Sequence, residues 1–157
     1  MVRTILTYPD PFLSTKAAPV ARMDDSVRKL IDDMFETMYA ATGVGLAAPQ
    51  IGVGRRVIVV DVSPVEKEIP PMALVNPEIV SRRGMVEATE GCLSVPGVEG
   101  VVARPESVTV KGLNELGDPV KFEAEGLLAR ALQHEIDHLD GVLFIDRLSA
   151  AAATTTK

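Results

Sequence analysis

The sequence is poor in cysteine, histidine and aromatic residues, and these shortages limit what the protein can be. Its 157 residues include one Cys, two His and no Trp, and aromatic residues make up 4%. One Cys cannot form an internal disulfide, which is consistent with a reducing compartment. No stretch reaches the roughly 18 apolar residues of a membrane span, and the N-terminus lacks the apolar core of a signal peptide. We therefore expect a cytoplasmic protein without membrane contact.

Clustered positive charge is also missing. The net charge is −6 at pH 7, and no long basic run is available to contact phosphates, so we expect no direct nucleic-acid binding. Hydrophobic residues at 46% and charged residues at 24% are typical of a globular protein, and the chain is long enough to bury a core. We expect one domain over residues 1–148 and a short Ala- and Thr-rich tail over residues 149–157.

Both histidines lie in one short segment, His134-Glu135-Ile136-Asp137-His138. In a helix, residues four apart project from one face on successive turns, so the two imidazoles can bind one metal ion. Glu135 would then lie beside the first ligand, where it can handle the proton of an activated water molecule without being a ligand. The same spacing also fits a solvated helix whose histidines are incidental, and the motif alone leaves both interpretations open.

The single cysteine, Cys92, is a candidate third ligand. A lone Cys is often a small buried hydrophobe. Its flanks, Glu90-Gly91 and Ser94-Val95-Pro96-Gly97, are however not those of an apolar strand, because the second contains a turn signal. With His134 and His138 it would form a Cys-His-His site with a fourth position left for water.

Three separated motifs resemble the signatures of the peptide deformylase family. They are Gly43-Val44-Gly45-Leu46-Ala47-Ala48-Pro49-Gln50, Glu90-Gly91-Cys92-Leu93-Ser94 and Gln133-His134-Glu135-Ile136-Asp137-His138. They occur in the family's order, and the resemblance covers about residues 3–148. It implies a single catalytic domain that hydrolyses the N-formyl group from the initiator methionine of new polypeptides, giving formate and a free amine.

The resemblance also implies a metal and an acid/base residue. Cys92, His134 and His138 are expected to hold one divalent ion, Fe²⁺ in the cell, and Zn²⁺, Ni²⁺ or Co²⁺ in isolated protein. Glu135 is expected to take a proton from water and return it to the leaving amine.

Further roles concern the oxyanion and the substrate. The resemblance implies that the Gln50 amide and the Leu93 backbone N–H hold the developing oxyanion, and that the backbone around Gly45 pairs with an extended peptide. Glu90 is expected at the pocket edge as a structural partner. The residues predicted to surround the methionine side chain are Val44, Leu127 and Ala131. Leu127 and Ala131 share the helix face of His134.

The fold implied by the resemblance is α+β, with antiparallel strands surrounding the C-terminal helix that carries the HExxH motif and an N-terminal helix packed outside. The sequence pattern agrees. Apolar residues recur at helical steps between residues 24 and 43, and a second helix is predicted from residues 123–126 to residues 140–141. Short β-branched runs between them predict strands, including one over residues 78–87.

Several charged positions are informative. Asp137 is expected to pair with Arg104 and support the metal ligands, whereas no role follows for Arg130 from the sequence. Residues 96–102 contain Glu99 and no basic residue, although many deformylases place an Arg there that helps to hold the peptide, so substrate preference is in question. The tail is too short for the basic helix with which some bacterial relatives dock on the ribosome, so we expect any ribosome contact to be transient or made elsewhere.

Two alternatives remain. A different HExxH hydrolase would need a third His or Glu ligand downstream, and no His follows His138. A non-enzymatic domain with the same fold would use a closed structural zinc site of four ligands, and only three Cys and His residues are present.

Overall fold

A five-stranded antiparallel sheet separates the two helices in the computed structural model, which describes residues 1–148. The sheet has the order β1-β2-β3-β6-β7, and β4 and β5 form a separate antiparallel hairpin. The strands are β1 (Gly45–Ala47), β2 (Val57–Val60), β3 (Met72–Arg83), β4 (Val86–Cys92), β5 (Val95–Arg104), β6 (Ser107–Leu113) and β7 (Pro119–Glu125). The helices are α1 (Asp25–Ala40) and α2 (Gly126–Leu139), and 3₁₀ turns cover Pro11–Ser14, Ala48–Ile51 and Phe144–Arg147.

The central strands are buried on both faces. In β2, Ile58 and Val60 pack with α2, whereas Val57 and Val59 pack with α1. Successive side chains of a strand point to opposite faces, so a strand between two helices is apolar at every position. This burial on both faces explains why β2 is an uninterrupted β-branched run, Val57–Val60.

Helix α1 covers the outer face of the sheet, as the resemblance implied. Asp24 caps it, because its side chain accepts from the Val27 N–H at 3.1 Å. The buried apolar residues of the helix are Val27, Leu30, Ile31, Met34 and Met38. These residues account for the apolar residues predicted to recur at helical steps between residues 24 and 43. The predicted α+β fold class is confirmed.

Helix α2 begins at Gly126, within the predicted range, and ends at Leu139, one residue before the predicted end. Gly126 (φ 62°) opens the helix, and Gly141 (φ 77°) follows its end. A Cβ on Gly141 would lie 2.5 Å from the carbonyl oxygen of Ser14, so only glycine fits this position.

One strand prediction was wrong. Residues 78–87 form the end of β3 and the start of β4, because the chain turns at Gly84 with a φ of 71°. The proposed tail, residues 149–157, lies outside the described residues. No helix within residues 1–148 is long and apolar enough to span a bilayer.

Candidate active site

The three motifs converge on a cavity of about 980 Å³ between β1, the β4–β5 hairpin and α2. His138 is 1% exposed and lies behind the cavity wall. The other predicted site residues all line the cavity, namely Val44, Gly45, Gln50, Glu90, Cys92, Leu93, Leu127, Ala131, His134 and Glu135. Motifs that are far apart in sequence therefore share one site.

Cys92, His134 and His138 bring their ligand atoms together, all within 4.8 Å of one another. Cys92 Sγ lies 3.4 Å from His138 Nε2. Two ligands on one tetrahedral ion, with bonds of about 2.0 to 2.3 Å, are roughly 3.5 Å apart. One thiolate and two imidazoles at this spacing suit a single divalent ion.

The two histidines differ in their protonation. Burial lowers the pKa of His134, but its contacts with Cys92, Glu135 and Glu90 raise it to about 10. Burial holds the pKa of His138 well below its usual value, and the positive charge of His134 lowers it further. His138 is therefore neutral and can offer a lone pair, whereas a bound cation would replace a proton on His134.

Glu135 is buried in a position where one carboxylate oxygen has no partner. Oε1 makes no hydrogen bond within residues 1–148. Burial raises the pKa of Glu135 to about 7, although the charges of His134 and Arg104 lower it. A Cβ on Gly45 would lie 2.5 Å from Oε2, so β1 fits against this carboxylate only because residue 45 lacks a side chain.

Glu90 holds the first histidine from behind. Its Oε1 accepts from His134 Nδ1 at 3.1 Å and from Arg104 Nη2 at 2.9 Å. Its Oε2 accepts from Arg104 Nε and Arg130 Nη1, both at 2.5 Å. Burial alone would raise the pKa of Glu90, but these hydrogen bonds lower it to about 2. The Nδ1 bond leaves His134 Nε2 for a metal.

Arg130, for which the sequence offered no role, fastens α2 to the hairpin. Besides Glu90 it donates to the carbonyl oxygens of Val102 at 3.1 Å and Val86 at 2.8 Å. Sequence reasoning missed this because the hydrogen bonds join residues 28 to 44 positions apart. The positive charge of Arg130, which lies on the same face of α2 as His134, is thus fully paired.

The predicted pair of Asp137 and Arg104 is present. Arg104 Nη1 donates to Asp137 Oδ2 at 2.9 Å, and Arg147 Nε donates to the same oxygen at 2.6 Å. Arg147 was not anticipated. Because Arg104 also holds Glu90, a chain of ion pairs runs from Arg147 to the His134 ring.

Gln50 is held in one orientation. Its Oε1 accepts from the Ala47 N–H at 2.9 Å, and its Nε2 donates to Ser94 Oγ at 3.0 Å and lies 3.6 Å from Cys92 Sγ. Ser94 also donates its N–H to Cys92 Sγ at 3.4 Å. It ends the second of the three motifs, but no role was predicted for it from the sequence. The Gln50 amide hydrogens therefore point to the Cys92 end of the cavity.

Part of the remaining cavity wall is apolar. Leu127 and Ala131 line it from α2, and Val44 stands at the rim with 38% of its surface exposed. The Leu93 side chain rests on Gly43, where an added Cβ would lie 2.8 Å from Leu93 Cδ1.

Comparisons with known proteins agree with this geometry. The Polypeptide deformylase family model matches residues 2–153. The peptide deformylase of Natranaerobius thermophilus is 56% identical over 147 residues, with 93% of this chain and 92% of the relative covered. That of Alkalilimnicola ehrlichii is 54% identical over 145 residues, with coverages of 92% and 81%.

Solved structures give the same result. A peptide deformylase from Legionella pneumophila superposes with a TM-score of 0.91 at 52% identity, covering 99% of this chain and 90% of the other. One from Synechococcus elongatus, in complex with actinonin, has a TM-score of 0.90 at 45% identity, with coverages of 94% and 81%. The resemblance seen in the three motifs is confirmed, and the chain belongs to the polypeptide deformylase family.

Proposed function

We propose that this chain removes the N-formyl group from the initiator methionine of nascent polypeptides by hydrolysis, releasing formate. The observation that carries the proposal is the grouping of Cys92, His134 and His138 beside Glu135, whose buried Oε1 has no hydrogen-bond partner among residues 1–148. A structural zinc site of four ligands would need neither a large cavity nor a buried acid. We assign residues 1–148 as a single catalytic domain.

The metal ligands in this proposal are Cys92, His134 and His138. Family membership makes the enzyme metal-dependent, and we propose Fe²⁺ as the ion in the cell, with Zn²⁺, Ni²⁺ or Co²⁺ able to occupy the site in isolated protein. When bound, such an ion polarises a carbonyl and makes water nucleophilic near neutral pH. Glu90 orients His134 through Nδ1 and so keeps Nε2 directed at the ion.

Glu135 is the proton carrier in this mechanism. It accepts the proton of the attacking water and gives it to the nitrogen of the leaving amine. Its Oε1 has no competing hydrogen-bond partner within the described part of the chain, and Gly45 leaves Oε2 undisturbed. A carboxyl group with a pKa of about 7 can serve as base and then as acid at neutral pH.

The oxyanion is held by the Gln50 side-chain amide and the Leu93 N–H. Gln50 is 1% exposed and is anchored through the Ala47 N–H and Ser94 Oγ, so its donor is already oriented before charge develops. Preorganised donors of this kind are typically the largest single contribution to acyl-group hydrolysis.

The substrate binds as an extended strand along β1. Among the strands of residues 1–148, β1 pairs only with β2, and Gly45 lines the cavity from the other side of β1, which suits β-strand addition. We place the methionine side chain against Val44, Leu127 and Ala131, with Glu90 as a structural residue at the pocket edge. The partners are formylated nascent chains in the cytoplasm, with any ribosome contact transient.

Formate release from formyl-Met-Ala-Ser tests the proposal. The protein is loaded anaerobically with Fe²⁺, then stripped by a chelator and reloaded. We expect the loaded protein to release formate, the stripped protein to be inactive, and reloading to restore activity. Acetyl-Met-Ala-Ser is the control for the formyl group, and actinonin, which the Synechococcus elongatus structure contains, is expected to inhibit. A folded protein that holds one metal ion and releases no formate would leave the structural-metal alternative.

A further inference from the structure

Glu99 places a carboxylate at the mouth of the cavity. It lies on β5 directly opposite Gly91 of β4, and the next pair on the same face is Thr89 with Val101. Opposite residues of an antiparallel pair share a face, as do alternate residues of a strand. All four residues line the cavity, so this part of the hairpin forms one of its walls.

The glycine opposite Glu99 gives its side chain room. A Cβ on Gly91 would lie 3.7 Å from Glu99 Cγ, which is ordinary van der Waals contact. The Glu99 side chain therefore lies over the Gly91 backbone, next to Cys92. Gly91 and Cys92 line the same cavity as Gly45, so Glu99 borders the groove along which a peptide strand would run.

The Glu99 charge is not neutralised by the protein. The side chain is exposed, and within residues 1–148 no Lys or Arg forms a salt bridge with it. Arg130, which also lines the cavity, is held by Glu90 and by two carbonyl groups. The chain as a whole carries a net charge of −6. The groove mouth therefore presents uncompensated negative charge to its substrate.

The position of Glu99 relative to a bound peptide follows from the proposed function, on which this inference rests. If the formyl group lies at Cys92 and the methionine side chain reaches Leu127 and Ala131, the peptide leaves between β1 and the hairpin. An extended strand advances about 3.3 Å per residue, so the two residues after methionine pass this wall.

We propose that Glu99 determines substrate preference, favouring formyl-methionyl peptides with Lys or Arg in the two positions after methionine over those with Asp or Glu. The charges are solvated, so the gain from attraction and the loss from repulsion are each modest, and together give about a fivefold to tenfold difference in kcat/KM. The charge contact is equal in ground and transition states, so the difference lies in KM.

The test uses three peptide amides, formyl-Met-Lys-Lys, formyl-Met-Ala-Ala and formyl-Met-Glu-Glu, with the parent protein, Glu99→Gln and Glu99→Lys. The matched control is Glu87→Gln, which removes an exposed carboxylate from the same hairpin face outside the cavity lining. We expect the Lys-to-Glu ratio of kcat/KM to be about 5 to 10 in the parent and in Glu87→Gln, near 1 to 2 in Glu99→Gln and inverted in Glu99→Lys. Salt at about 0.5 M should reduce the parent ratio.

The outcomes separate this inference from the proposed function. Turnover of formyl-Met-Ala-Ala with a parent ratio near 1 overturns the role of Glu99 while leaving the deformylase activity standing. An equal fall of the ratio in Glu87→Gln and Glu99→Gln also overturns it, since the preference would then come from the overall charge. Absence of turnover with all three peptides contradicts the proposed function itself.

Discussion

Helices α1 and α2 are similar in length, with 16 and 14 residues, but they bury different kinds of groups. The buried polar residues of α1, Asp33 and Thr37, both have partners, because Arg3 donates to each of them. Those of α2 are Gln133, His134, Glu135 and His138, of which His134 and Glu135 line the cavity. One helix is built to pack and the other to carry chemistry.

The difference is clearest in the polar atoms that remain unpaired. Within residues 1–148, two buried side-chain atoms have no hydrogen-bond partner, Glu135 Oε1 and His138 Nδ1, and both belong to α2. A buried group without a partner costs about 1 to 3 kcal/mol. The comparison teaches that α2 gives up stability at the positions where the proposed function requires reactive atoms.

The largest expected effect is that of Glu135→Gln. We expect formate release to fall about 10²-fold to 10⁴-fold, because the proton carrier is lost, while metal content is retained. The melting temperature should not fall, since a buried carboxylate is replaced by a neutral amide. Asp32→Asn, on the exposed face of α1, is the control and should change neither quantity. Activity within tenfold of the parent would rule Glu135 out as the proton carrier.

Met34→Ala should show the opposite pattern in α1. Met34 is fully buried against the sheet, and truncating such a residue costs about 2 to 5 kcal/mol of the free energy of unfolding. We expect kcat/KM, measured well below the melting temperature and per folded molecule, to stay at the parent value. Denaturant unfolding measures the free energy of unfolding, and the formate assay measures kcat/KM. A large fall in kcat/KM would mean that α1 is not merely a packing element.

Asp137→Asn sharpens the comparison within α2 itself. Removing the charge weakens the ion pair that holds Arg104, and through it Glu90 and His134. Loss of such support typically lowers metal affinity about 10-fold to 100-fold, which competition with a chelator can measure. Asp140→Asn is the matched control, because Asp140 follows the same helix but pairs with Arg56. Equal metal affinities for the two variants would contradict the supporting role of Asp137.

The smallest effect is expected at the end of α1. Burial, together with the hydrogen bond to Asp61 at 2.6 Å, raises the pKa of Tyr39 from 10.0 to about 12. The native state therefore holds this proton more tightly, and the resulting stability, present below pH 10, is lost as the pH rises to about 12. Over this pH window the Tm of Tyr39→Phe should fall by about 2 °C less than that of the parent, a small difference because Tyr39 as a whole is 51% exposed. Parallel Tm curves for the parent and the variant would refute the linkage.

Much of the molecule could be predicted from the sequence. The resemblance of the three motifs to the family implied the fold class, the family and the deformylase activity, all of which are confirmed. The pairing of Asp137 with Arg104 was also predicted. The roles of individual site residues stay predictions, because no ligand or variant has yet tested them.

What the sequence could not provide were contacts that depend on how separate elements meet. The helical period places Arg130 beside His134, but only the packing of the β4–β5 hairpin shows that Glu90 receives its charge. The turn at Gly84 was also missed, because one isolated glycine is a weak turn signal within a run that otherwise fits a strand. Local sequence patterns therefore predict helices and strands, whereas the partners of charged groups depend on contacts between residues far apart in the sequence.

The contact between Gly45 and Glu135 has a consequence for how this enzyme can change. Residue 45 belongs to the strand proposed to recognise the peptide, yet any side chain there would collide with the proposed proton carrier. Recognition and chemistry therefore meet at one backbone position and cannot be adjusted independently through it. Efforts to redesign substrate scope should leave this position fixed and direct variation to the hairpin wall, where residues can be exchanged without touching the acid.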